Sequence, residues 1–409
     1  MMWKYSRVLG ILLLFLPVFT LRGAEITVPR LELATRAAAE KGDLVISSNA
    51  AVDIALNGGY KYGILLGLSF ESANLGKAFA YRNFQTGLLA PAASVTGAEY
   101  NELAESFNNQ AVLSFRVATA TARNLFGLPL ELSYFVGLGD PFCSGEEFSA
   151  RYGVPDMGTN FTGFFYFPEG IGGNPYRRYN GIHEVQGTGF SFALTRWENF
   201  IPLLYLYQNI PSISTAGVVA AKSFYSGDLR GLFNGEKIKI EAFMGMTGGR
   251  NEAINLRGGL LAFFTSGTGM DFLLQSGIPG WFVDEEFSID NWYFLIEPRL
   301  DFGLVAFHIS FFYHPLEYLH IRTPEERGKA DINIKLFVGD LGESRFQGGL
   351  ETTMGVKADK PEEFSLKISP FASLASDGLR WDLKFRINPL AADHPEEILE
   401  VFVGIRTAY

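Results

Sequence analysis

Apolar and polar residues alternate with a period of two over much of the back half of the chain. Leu379, Trp381, Leu383, Phe385 and Ile387 alternate with Arg380, Asp382, Lys384 and Arg386. Trp292, Phe294, Ile296, Leu300 and Phe302 alternate with Tyr293, Glu297, Arg299 and Asp301, and Ile238, Ile240, Ala242, Met244 and Met246 with Lys237, Lys239 and Glu241. Successive side chains of a strand point to opposite faces, so each segment predicts a strand with one apolar and one charged face. A soluble sandwich would turn the apolar face to a core, and a membrane barrel would turn it to lipid. The alternation is the same in both, and the connections decide between them.

Counting back from the C-terminus, the pattern predicts strands near 398–408, 378–388, 363–373, 344–356, 330–339, 304–314, 290–302, 268–277, 253–265, 236–247, 215–225, 201–209, 186–197, 129–139, 111–122 and 60–71. The connections at Ser376-Asp377-Gly378, 339–344, Gly303, Ser266-Gly267 and 197–200 are short. Those at 389–397, 357–362, 315–329, 278–289 and 140–185 are longer and interleave with them. Short turns at one end and long loops at the other predict an all-β transmembrane antiparallel barrel. The 225–236 connection breaks the rule, being long where a short turn is expected. The strand number comes to about 16, within 14–18. A further pair at 44–57 and 76–88, with Asn57-Gly58 as a hairpin signal, gives the upper figure. Arg30 to Lys41 reads as a short helix stopped at Gly42, within a 25–59 segment that is either a loose periplasmic tail or a small plug. The barrel itself is expected over 60–409.

Composition agrees with this picture. Only 19% of the residues are charged and 14% are aromatic, with 37 Phe, 17 Tyr and 45 Gly among 409 residues. The net charge of −10 excludes a basic nucleic-acid footprint. Cys143 is the only cysteine, so there is no internal disulfide and no paired-cysteine metal or redox site.

The two ends sharpen the reading. Lys4 and Arg7 precede an apolar stretch from Val8 to Leu21, and small residues follow near Gly23 and Ala24, so 1–24 reads as an export signal cleaved near Glu25. At the other end Leu399, Val401, Val403, Ile405, Thr407 and Tyr409 form one apolar face that runs to the last residue. This ending resembles the closing strand of bacterial outer-membrane β-barrels of the porin and transporter type, with Tyr409 where Phe is usual. The resemblance implies a cell outer-membrane location, a lipid surround and the barrel-assembly machinery as partner. It is architectural and carries no family motif. Fatty-acid-type transporters share an N-terminal hatch but show an Asn-Pro-Ala segment that this chain lacks.

The inward positions carry the candidate chemistry. Lys237, Lys239, Arg257, Arg299, Arg380, Asp382, Lys384, Arg386 and Arg406 are expected to line the lumen and set its selectivity. With Lys335, Arg345 and Lys367 they bring the basic total to eleven. Eight acids oppose them: Glu131, Glu241, Asp271, Glu297, Asp301, Glu351, Asp382 and Glu400. Charges at such positions must be wet or paired, and this favours a wet passage with a modest anion preference. The aromatic 140–185 loop either folds inward as a constriction or faces outward.

His308-Ile309-Ser310 resembles the His-x-Ser pair of outer-membrane phospholipases. Here Val305, Phe307, Ile309, Phe311 and Tyr313 take the lipid face, which turns His308 and Ser310 inward, and the Asn partner is missing. His183, His314, His320 and His394 lie in or beside predicted loops without ligand spacing and read as exposed. The expectation is therefore a non-enzymatic channel for passive or substrate-specific diffusion of small solutes, with no metal and no cofactor. The alternatives are a plugged transporter of hydrophobic compounds, a surface adhesin or a barrel hydrolase.

Overall fold

Period-two segments pair with their sequence neighbours all the way round the molecule and close into a barrel. The computed structural model describes residues 24–26, 30–40, 43–72, 112–155, 157–161, 181–209, 224–249, 253–315, 329–341, 345–357, 364–391 and 398–407. A three-residue strand β1 (Ala24–Ile26) pairs with the end of β3. The barrel begins with β2 (Arg30–Glu40), β3 (Asp43–Gly58), β4 (Tyr62–Ser72), β5 (Val112–Ala122), β6 (Leu130–Phe142) and β7 (His183–Leu194). It continues through β8 (Phe200–Asn209), β9 (Phe224–Asn234), β10 (Ile238–Gly248), β11 (Asn255–Thr265), β12 (Met270–Phe282) and β13 (Tyr293–Asp301). The last six are β14 (Val305–Tyr313), β15 (Lys329–Val338), β16 (Phe346–Lys357), β17 (Ser365–Ser376), β18 (Leu379–Ile387) and β19 (Leu399–Thr407). Each strand from β2 is antiparallel to the next, and β19 closes on β2 in the register Glu400↔Ala38 to Arg406↔Glu32. The result is an all-β closed barrel of 18 strands.

The two strands beyond the expected 16 come from the segment assigned to a tail or plug. Arg30–Glu40 is a strand and not a helix, and Asp43–Gly58 is its partner. The physical reason is closure. Without β2 and β3 the sheet would carry two open edges, whose unpaired amides are untenable in a bilayer. The second predicted partner, 76–88, lies outside the described residues. The strand expected at 215–225 is β9, at Phe224–Asn234, so the 225–236 connection that broke the alternation is itself a strand. Gly227 and Gly231 occupy its outward positions and interrupt the apolar track between Tyr225, Leu229 and Phe233.

With that correction the two ends of the barrel separate cleanly. The connections 59–61, 123–129, 195–199, 235–237, 266–269, 302–304, 339–345 and 377–378 lie at one end, where β2 also begins at Arg30 and β19 stops at Thr407. The remaining connections, most of them longer, join the strand ends at the other end, where β2 also turns into β3. An exposed aromatic stands in or beside each short connection: Tyr60, Phe126, Trp197, Phe233, Phe264, Phe302, Phe346 and Trp381. Phe126, at the tip of its turn, is 91% exposed. A ring of aromatics at one level is the girdle that marks a membrane–water interface. Among the described residues no helix is long and apolar enough to cross a membrane.

Candidate functional site

The lumen is not a uniformly wet passage. At Phe142 the chain leaves β6, turns into the barrel and forms a short helix α1 (Glu146–Tyr152). Glu146 and Glu147 sit in its first turn and Arg151 in its last, the order that suits the helix dipole. Gly153, at φ 64°, ends it by returning its N–H to Ser149 O at 3.0 Å. The described part of this inserted segment runs on to Phe161. Gly181 then brings the chain back beside Phe142, where a Cβ would stand 2.0 Å from the Phe142 carbonyl oxygen. Only glycine, at φ 77°, allows that neck to close.

Phe142, Cys143, Phe148, Met157 and Phe161 of the segment are all buried. They pack in one cluster with inward side chains of β6 to β14, among them Phe135, Leu203, Tyr205, Leu232, Phe243, Leu261, Leu295 and Phe312. Both faces of β8 are consequently apolar: Ile201, Leu203, Tyr205 and Tyr207 pack inside while Leu204 and Leu206 face out. The expected wet lumen is corrected on this side. The inner wall is a hydrophobic core, and the 140–185 loop folds inward as far as it is described, with 162–180 outside the described residues.

Two wall carboxylates hold the described part of the segment, one where it enters and one near Phe161. Where it enters, Glu241 of β10 accepts the Cys143 backbone N–H at 2.5 Å and the Arg230 guanidinium at 2.8 Å. Arg230 also donates to Pro141 O at 3.1 Å and lies 4.7 Å from the Phe142 ring centre. Near Phe161, Glu297 of β13 accepts Thr159 Oγ1 at 2.5 Å and the Asn160 backbone N–H at 3.1 Å. Glu297 also accepts Ser310 Oγ at 2.6 Å and Arg299 Nε at 2.8 Å. Arg299 reaches Gly158 O at 2.5 Å, and Lys335 reaches Asn160 O at 3.4 Å. Between these two contacts, Arg151 pairs with Glu147 and with Glu131 of β6. Burial pushes the Glu147 carboxyl up, but the Arg230 and Arg151 guanidiniums outweigh it and hold the group below the usual carboxylate range. Burial, reinforced by Glu241, drives the Cys143 thiol well above its ordinary value.

The opposite wall carries a charge ladder. Glu351 lies 3.5 Å from Lys335 and 3.0 Å from Lys384. Asp382 lies 2.7 Å from Arg380 and 3.5 Å from Arg406. Glu400 pairs with Arg36 and with Arg386, whose guanidinium stands over the Phe402 ring. Lone charges would not survive at such positions, and setting each carboxylate between two cations of the same wall makes them tolerable.

Of the residues read from the sequence, Lys239, Arg257, Arg299, Asp382, Lys384 and Arg386 are inward and buried, and Arg380 and Arg406 are inward and half-buried. Lys237 is exposed in the 235–237 turn one residue before β10 and does not line the lumen, because that strand starts at Ile238. Arg345 and Asp301 are likewise exposed at the short-turn end. Val401, Val403 and Ile405 take the outward face of β19, and Tyr409 lies outside the described residues. His308 and Ser310 are inward as expected, and the Ser310 hydroxyl goes to Glu297.

His183 and His314 are buried rather than exposed. His314 pairs with Asp331 at 2.6 Å, and His183 lies 4.0 Å from Asp228. His320 and His394 lie outside the described residues, and among the described ones no cluster could hold a metal. Sequence reasoning missed Asp228 and Arg230, because β9 was misplaced, and Arg36, because β2 was read as a helix. The signal for the first two was present in Ser226, Asp228 and Arg230, spaced two apart.

No family model and no curated protein sequence matches the chain. Solved structures do share the fold. The Escherichia coli outer-membrane protein Wzi, a carbohydrate-binding β-barrel involved in group 1 capsule assembly, is 10% identical with a TM-score of 0.50, the match covering 93% of this chain and 84% of Wzi. OccAB2 of Acinetobacter baumannii is 12% identical with a TM-score of 0.50, covering 93% of this chain and 98% of that one. OccAB4 of the same organism is 10% identical with a TM-score of 0.50, covering 94% and 98%. The chain thus shares its fold with outer-membrane β-barrel proteins.

Proposed function

We propose that the protein is a channel of the bacterial outer membrane that passes small solutes through a lumen narrowed by residues 143–161. The observation that carries this reading is the inserted segment. A barrel of 18 strands is wide enough to leave an aqueous passage, and a segment cored into one wall reduces its width without closing the sheet. The aromatic girdle and the segregation of short and long connections support the membrane setting, with the short-turn end in the periplasm. An export signal over 1–24 and insertion by the barrel-assembly machinery belong to the same reading.

A transporter of hydrophobic compounds would need apolar side chains open to its lumen, whereas those of β6 to β14 are spent on packing the inserted segment. The His-x-Ser pair does not favour a hydrolase, because Ser310 gives its hydroxyl hydrogen to Glu297 and not to His308. The protein should sediment with the outer membrane of its host, and liposomes containing it should swell in small sugars. Recovery in the aqueous phase without detergent would exclude the reading.

A further inference from the structure

The connection from Val283 to Trp292, between β12 and β13, is fastened to the outward face of the barrel. Trp281 stands opposite Leu256 on the outward track of β12 and β11, and its Nε1 donates to Glu285 O at 3.1 Å. Tyr313 stands opposite Phe294 on the outward track of β14 and β13, and its hydroxyl donates to Asp290 Oδ1 at 2.9 Å. Phe287 meets the Trp281 ring edge-on, with the ring centres 5.8 Å apart. Ser288 and Asn291 cap each other's backbone around the single helical turn Ile289–Asn291. The connection is thus pinned over the rim on the side away from the lumen.

Pinned there, it still turns large apolar side chains outward. Phe287 is 54% exposed and Ile289 63%, and Val283 and Trp292 are exposed beside them. Asp284, Glu285 and Glu286 are exposed as well. Height decides what these groups meet. Trp292 and Phe302 flank β13 (Tyr293–Asp301) on one outward track. At about 3.4 Å per residue and a tilt of about 40°, Trp292 lies about 26 Å above Phe302 of the short-turn girdle. The apolar band of an outer-membrane barrel is about 25 Å tall. Trp281, Trp292 and Tyr313 therefore stand where the second membrane–water interface falls. The apolar side chains of the connection continue the lipid-facing surface at that level.

We infer that residues 283–292 form a ledge seated on the outer leaflet of the membrane. Phe287 and Ile289 reach among the lipids at headgroup level, and Asp284 to Glu286 stay in water. Aromatic rings favour this level, and the cost of burying a carboxylate keeps the acids out of hydrocarbon. Such a ledge fixes the depth of the barrel and keeps this connection off the pore mouth. The inference rests on the membrane setting proposed above and is independent of conduction.

Phe287→Cys, Glu285→Cys and Leu204→Cys are each labelled with a nitrobenzoxadiazole maleimide, and Ile289→Cys repeats the first with the Phe287 ring kept. Wild type is the blank, because Cys143 is fully buried. Folded barrels, checked by migration on unheated gels, are placed in phosphatidylcholine vesicles carrying nitroxides at the headgroup or deep in the chains. Labels at 287 and 289 should lose emission to the headgroup nitroxide and be shielded from iodide. The label at 285 should be open to iodide, and the label at 204, midway along β8, should respond to the deep nitroxide. Labels at 287 and 289 as open to iodide as that at 285, with 204 still quenched from within the bilayer, would overturn the ledge and leave the membrane setting intact. Loss of quenching at 204 as well would remove both.

Discussion

Arg230 and Glu241 sit on neighbouring strands inside the barrel, both fully buried, with Arg230 Nη2 2.8 Å from Glu241 Oε1. The pair lies under the point where the inserted segment leaves β6, and Glu241 also takes the Cys143 N–H. Removing one partner of a buried pair leaves an uncompensated charge and typically costs about 3–5 kcal/mol. Arg230→Ala should therefore lower the urea midpoint at which the folded barrel loses its fast migration on unheated SDS gels. An unchanged midpoint would mean that water reaches Glu241 freely and that the entry is not a core.

The outward face predicts a depth-dependent cost. Leu204, midway along β8, faces out, and Phe126 stands at a short turn. An arginine on the lipid face costs about 2–4 kcal/mol at the bilayer midplane and about 0–1 near the interface. Leu204→Arg should thus destabilise the protein in lipid vesicles far more than Phe126→Arg. Equal effects in equilibrium unfolding would place the bilayer elsewhere.

Closure by β2 gives a third expectation. Deleting residues 30–40 exposes the pairing edges of both β19 and β3, and open edges are not tolerated in hydrocarbon. The deleted chain should fail to reach the heat-modifiable folded form. A tail or plug would be dispensable, so an intact barrel after deletion would contradict the register of β19 with β2.

These cases show where the sequence was legible. The strands from β10 to β19 alternate strongly because large apolar side chains meet charged ones, as in Trp381, Asp382, Leu383 and Lys384. The stretch Leu33 to Glu40 is dominated by alanine, which suits a helix by propensity and hides its inward and outward faces equally. β9 was blurred by outward Gly227 and Gly231. The apolar inner face of β8 could be read as a fully buried strand, yet only the structure shows that the inserted segment buries it. The ladder carboxylates Glu351, Asp382 and Glu400 and most of their cations were read correctly as inward. Which cation meets which carboxylate was not legible, because pairing depends on register across strands.

Selectivity follows from charge on the inner wall. Arg380, Lys384 and Arg386 all point inward from β18. Charges beside a narrow low-dielectric passage act more strongly than on an open surface. Replacing all three with alanine removes three positive charges and should move the reversal potential in a salt gradient toward cation preference. The shift should shrink near 1 M salt, where the screening length falls to about 3 Å. No shift at low salt would mean that the conducting path does not pass this wall.

The channel itself is tested most directly by adding the purified wild-type protein to a planar lipid bilayer under voltage. The channel reading predicts discrete upward current steps of one reproducible size, as expected for single barrels each narrowed by the same inserted segment. A bilayer that stays silent, although the protein has inserted and folded by gel migration, would show that the lumen is closed and would contradict the channel reading.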